Sequence, residues 1–88
     1  MGFEVHELKR MYWHSRRGML ELDLILVPFA EQFLAQASDE DQQRYQLLLK
    51  EEDQDLYQWL IGRLPAPGPE LQAIVDLVRA QTGHDKVF

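Results

Sequence analysis

The 88-residue chain has no cysteine, which excludes disulfide frameworks, thiolate metal sites and thiol nucleophiles together. Five glycines and four prolines are too few for a fibrous or disordered polymer. No apolar run approaches the roughly 20 residues a membrane helix requires, and the longest, Leu24 to Ala30, is interrupted by Pro28. Direct membrane insertion is therefore not expected. The opening MGFEVHELKRM lacks an apolar signal core and the acid-poor, Ser/Arg-rich character of a transit peptide, so a cytoplasmic location is expected. Basic residues are also in deficit. Nine Lys and Arg stand against fifteen Asp and Glu, for a net charge of −6, which argues against a nucleic-acid binder whose affinity rests on neutralising phosphates. Nothing reads as GxGxxG, GxxxxGK[ST] or GxSxG, so the chain signals no nucleotide or flavin pocket of its own. His6, His14 and His84 form no i, i+4 pair and no HExxH pattern, and neither a metal site nor a catalytic residue is expected.

What remains is helical periodicity from end to end, without the alternation a half-buried strand would show. Val5, Leu8 and Tyr12 mark a short first helix that ends before the turn Ser15-Arg16-Arg17-Gly18. The second helix, expected from about Gly18 to Ala35, is apolar on nearly every side, the pattern of a buried central helix, with Pro28 expected to kink or split it. Ser38 with Asp41 three residues on forms a variant capping box for a third helix whose apolar face is Tyr45, Leu48 and Leu49. Asp53 or Asp55 opens a fourth, with Leu56, Tyr57, Leu60 and Ile61 as its stripe and Gly62 near its end. Three prolines within Pro65 to Pro69 impose a stiff connector, and Pro69 begins a fifth helix ending at Gly83. The sequence therefore predicts an all-α fold: one domain over residues 1–88, a small five-helix bundle with a central, largely buried second helix and frayed ends at about 1–4 and 83–88.

Charge is distributed unevenly. Residues 1–18 carry a balance of +2 and the remainder −8. Seven carboxylates between Asp39 and Asp55 read as solvated helix starts, because their spacing does not match a calcium loop and no glycine supplies its sharp turn. The segment from Arg10 to Asp23 is the most unusual, placing three arginines, Tyr12, Trp13, Glu21 and Asp23 around Gly18. Two readings compete there. Arg10 and His14 suit the C-terminal dipole of the first helix while Glu21 could cap the second, so the segment could be purely structural. Arg, Trp and Tyr are also the residues that dominate interface hot spots.

Within this segment RRGMLELD, preceded by Tyr12-Trp13 and followed by Pro28-Phe29, resembles the RGxxE signature of the SdhE (YgfY) family, the flavinylation factors of succinate dehydrogenase. The later run from Leu47 to Leu60 is similar to the family's second pattern, D-x-D-L followed by an aromatic and WL, with Gln54 where proline is often found. The resemblance covers about residues 8 to 80. It implies a small helical assembly factor, not an enzyme, that binds the flavoprotein subunit of succinate dehydrogenase, and often that of fumarate reductase, and promotes covalent attachment of FAD to a histidine of that subunit. FAD would then be attached to the partner rather than held stably here, and the lack of a transit segment would suit a bacterial member. The motif carries a partner-binding role to Arg17, Gly18 and Glu21, and its surroundings extend that role to Arg10, Trp13, Arg16 and Asp23. Arg17 and Glu21, one turn apart in a helix, are expected to pair in the free protein and to exchange partners on docking. A helical adaptor or antitoxin-like protein with a different partner explains the charge split but not the second pattern, and a small enzyme acting on FAD lacks a phosphate-cradling loop.

Overall fold

The computed structural model of the chain describes residues 4–83, and among these it contains five α-helices and no strand. They are α1 (Val5–His14), α2 (Leu20–Gln32), α3 (Asp39–Leu49), α4 (Asp53–Leu60) and α5 (Pro69–Thr82), with a single 3-10 turn, Leu34–Gln36, between α2 and α3. The all-α five-helix bundle expected from periodicity is what forms. The expected fraying of 1–3 and 84–88, and His84 with it, lies outside the described residues. Glu4 and Gly83 are helix-terminal: the Glu4 amide donates to Glu7 Oε1 at 3.1 Å, and Gly83 closes α5.

The second helix is central, packing against α1, α4 and α5, and its Leu22, Ile25, Leu26 and Phe29 are buried. Around them close Met11 of α1, Tyr45 and Leu48 of α3, Leu56 and Leu60 of α4, and Ile74, Val75 and Val78 of α5. Burial is one-sided, however. Leu20 and Leu24 are 69% and 61% exposed, so the side of α2 away from the core stays open although its residues are as apolar as those inside. The helix is also shorter than the spacing implied. It starts two residues after Gly18 and tightens into the 3-10 turn after Phe33, whereas Pro28 lies inside it without ending it. The carbonyl that loses its partner to the missing Pro28 N–H belongs to Leu24, an exposed residue, where loss of the bond is cheapest.

At α3, Ser38 Oγ accepts from the Asp41 amide at 3.1 Å, giving half of the expected capping box. The Asp41 carboxylate turns instead to Arg44, which also donates from Nε to Glu70 at 2.8 Å and so joins α3 to the start of α5. Gln42, the one buried amide of α3, donates to the Leu34 carbonyl at 2.8 Å and fastens the 3-10 turn to that helix. In α4 the buried set is Leu56, Trp59 and Leu60, and Tyr57, expected inside, is 38% exposed. Gly62 closes the helix tightly, its amide donating to Tyr57 O at 2.9 Å, and a Cβ there would meet the Gln58 carbonyl at 2.9 Å.

Candidate functional site

The segment joining α1 to α2 passes the C-terminal end of α3 and the N-terminal end of α4, and Arg17 holds the three together. Its Nε donates to Asp53 Oδ1 at 2.8 Å, Nη1 donates to the carbonyls of His14 (3.1 Å) and Leu49 (2.9 Å), and Nη2 donates to the Glu51 carbonyl at 2.8 Å. The guanidinium thus neutralises the carbonyl ends of α1 and α3 and meets the carboxylate in the first turn of α4, each the charge its helix end favours. A lysine has neither the fork nor the number of donors for this arrangement. The side chain is only 15% exposed. The expected Arg17–Glu21 pair does not form: Gly18 lies outside the helix, so the two residues are not one helical turn apart, and Asp53 is the carboxylate within reach.

Asp23 completes the turn from the other side, its Oδ1 accepting from the Arg17 amide at 2.7 Å. It takes the local role that Glu21 could have filled at the start of α2, whose N-cap, Met19, has no side-chain acceptor to offer. Below the turn, Ser15 is fully buried. Its hydroxyl donates to Met11 O at 2.8 Å and shares a hydrogen bond with the Tyr45 hydroxyl, which also reaches Leu26 O at 3.3 Å. Burial pushes the Tyr45 phenol up, against the opposing pull of the Ser15 hydrogen bond and the Arg17 charge. The turn is therefore anchored by a satisfied polar network and not by packing alone.

With its polar groups occupied underneath, the turn presents Gly18 outward. Gly18 has φ +84°, and a Cβ built there would meet nothing within 4 Å. The backbone conformation demands glycine while the space outside it stays open for another chain. Beside it, Trp13 is 62% exposed and meets Tyr12 edge to face, ring centroids 5.5 Å apart. Arg16 lies over both rings, 5.6 Å from Tyr12 and 5.5 Å from Trp13, and bonds the Tyr12 hydroxyl. That hydrogen bond, with the nearby Asp23 and Glu31 carboxylates, holds its charge firmly in place. Glu21 is exposed, with no hydrogen bond or ion pair to the described residues, and stands beside the open Leu20 and Leu24. Arg10 lies off this cluster, lining a groove of about 190 Å³ between α1 and α3 with His14 and Lys50.

Of the seven candidates, the structure groups Trp13, Arg16, Gly18 and Glu21 on exposed surface around the turn. It places Arg17 and Asp23 within the turn as its supports and Arg10 one groove away. Asp53, Ser15 and Tyr45 were not foreseen as parts of the site. Asp53 stood in the sequence as a helix start, and its place within the second pattern was the only hint that it belonged here. No nucleophile and base converge on this surface, and among the described residues no three His, Asp or Glu could hold a metal ion. What the surface offers is a shaped contact: a cation on aromatic rings, an unpaired carboxylate, open leucines and a bare backbone.

Comparison with known proteins identifies the lineage. Residues 9–82 match the Sdh5 family, described as flavinator of succinate dehydrogenase. The chain is 45% identical over 75 residues to the FAD assembly factor SdhE of Pseudomonas putida, covering 85% of this chain and 89% of that protein. It is 47% identical over 72 residues to the SdhE of Pseudomonas aeruginosa, covering 82% and 86%. With the SdhE of Shewanella oneidensis it shares 40% identity over 78 residues, 89% of this chain and 95% of the relative. Assembly factor is the description these relatives carry, that of an accessory to another protein and not of a catalyst. The chain belongs to the family of succinate dehydrogenase flavinators, and its two sequence patterns meet in space at the Arg17–Asp53 contact.

Proposed function

We propose that the protein binds the flavoprotein subunit of succinate dehydrogenase in the cytoplasm and promotes covalent attachment of FAD to a histidine of that subunit. The docking face is the surface around Gly18 and Glu21, with Trp13 and Arg16 beside it, Arg10 at its margin, and Arg17 and Asp23 holding the turn in shape. The observation that carries this reading is Glu21, an exposed carboxylate without a partner among the described residues, beside open leucines and a glycine that lets another backbone approach. A charged side chain left unpaired next to an apolar surface is poised to accept hydrogen bonds from a docking partner.

The contribution of such a factor is orientation. Holding the histidine of the partner against the flavin in a reactive geometry lowers the barrier by several kcal/mol, and the helper donates no group of its own. FAD remains the property of the partner. Calorimetric titration of the chain into apo flavoprotein subunit tests the assignment: wild type binds, and Glu21→Ala and the double variant L20S/L24S bind at least about tenfold more weakly. Wild-type affinity in both variants would move the docking face elsewhere.

A further inference from the structure

The second acidic pattern has no role in the docking face, and the geometry assigns it one. We propose that Asp53, the first residue of α4, is a positioning residue for docking: through Arg17 it fixes the Arg16–Met19 turn in the shape that presents Gly18 and Glu21. The proposal rests on the reading that this face meets the flavoprotein subunit.

Four contacts support it. Among the described residues, Arg17 is the side chain of the turn that hydrogen-bonds to the α3–α4 corner, and there it holds one carboxylate and two carbonyls at 2.8 to 2.9 Å. Asp53 is the single anionic member of that set. Without it, the guanidinium keeps only neutral carbonyl partners at the corner and loses the one contact that combines charge with a directed hydrogen bond. The backbone of the same residue is held by Asp23 at 2.7 Å, so Arg17 is gripped from α2 at its amide and from α4 at its side chain. Gly18 follows directly, and a glycine with φ +84° has no side chain to hold it there. Its conformation depends on the residue before it. Release of the side-chain grip leaves Gly18 free to sample the wide range of backbone angles that glycine permits. Only a fraction of molecules would then present the docking shape, and the apparent affinity falls by that fraction.

A double-mutant cycle on partner affinity tests this. D53N, D53A, R17A and R17A/D53A are titrated against apo flavoprotein subunit, with amide exchange followed across the turn. D53N and D53A are expected to weaken binding roughly 2- to 30-fold, the range for residues that act through a network. Exchange at Arg17, Gly18 and Met19 quickens, and the covalent flavin rate recovers when the factor is raised to saturation, since the docked complex is unchanged. R17A/D53A should bind no worse than R17A, whereas E21A should add to either. R17K should not rescue R17A. Val78→Ala, which opens a cavity at a fully buried position of α5, serves as the stability control. Wild-type affinity in D53N and D53A, full additivity with R17A, or an equal loss in V78A would overturn the proposal. If E21A and L20S/L24S weaken binding while D53N and D53A do not, the positioning role alone falls. If E21A and L20S/L24S bind normally, the docking face is wrong and the proposal falls with it.

Discussion

Gly18 and Glu21 answer to different constraints, and substitution separates them. At φ +84° any L residue carries a backbone penalty of about 1–2 kcal/mol, whatever its size, because the strain is local and the space outside is empty. Gly18→Ala and Gly18→Arg should therefore lower the melting temperature similarly, by roughly 4 to 15 °C, with helical circular dichroism retained. Only the arginine variant should abolish partner binding, since its side chain fills the space a second backbone would use. Unfolding of both variants would make the glycine purely structural. Glu21→Ala should change stability by less than about 0.5 kcal/mol in thermal melts, as an exposed residue without partners, while reducing covalent flavin incorporation. Tyr45 supplies the pH dependence. Its phenol is neutral when protonated, and burial raises the folded pKa above the unfolded value of about 10. The associated stability is intact below about pH 10 and is lost as pH climbs through the raised folded value, by about 1.4 kcal/mol per pH unit. Melts should hold level from about pH 8 to 10 and show this slope only above about pH 10, and Tyr45→Phe should flatten it; an unchanged slope would place the alkaline loss elsewhere.

At the scale of elements, the two faces of α2 divide the work of the protein. The inward face is the centre of the core, and Leu20 and Leu24 on the other remain open because no helix among the described residues covers them. Replacing both with glutamate should leave the melting temperature within about 2 °C of wild type, since little apolar area leaves water on folding at these positions, yet should weaken docking. A large stability loss in L20E/L24E would show that these leucines pack within the fold. This division also marks where the sequence was legible. Helix number, order and caps follow from local signals, namely the 3.6 period, Ser38, Pro69 and Gly83. Period alone could not tell which side of a helix apolar on nearly every face would be covered, and α2 read as largely buried. Period likewise put Tyr57 on the buried stripe of α4, whereas the core takes in Trp59 and leaves Tyr57 38% exposed. Contacts between distant residues were beyond local reasoning altogether: the partner of Arg17 lies 36 positions away and that of Ser15 lies 30 away, so Glu21, nearest in spacing, took the place of Asp53.

At the scale of the molecule, a chain of net charge −6 sets exposed Trp13 and Arg16 beside one turn, which is held from below by Tyr45 and from the side by Asp53. Such a layout suits a protein that acts by fitting another. The central claim is that this surface accelerates covalent flavin attachment in the partner. Its most direct test mixes purified apo flavoprotein subunit with FAD, with and without this chain, and follows over time the flavin that stays on the subunit after denaturation. The wild-type chain should raise the rate of adduct formation, and Glu21→Ala, equally folded, should fall toward the rate without factor. Adduct formation at the same rate with wild type, with Glu21→Ala and with no factor at all would contradict the account.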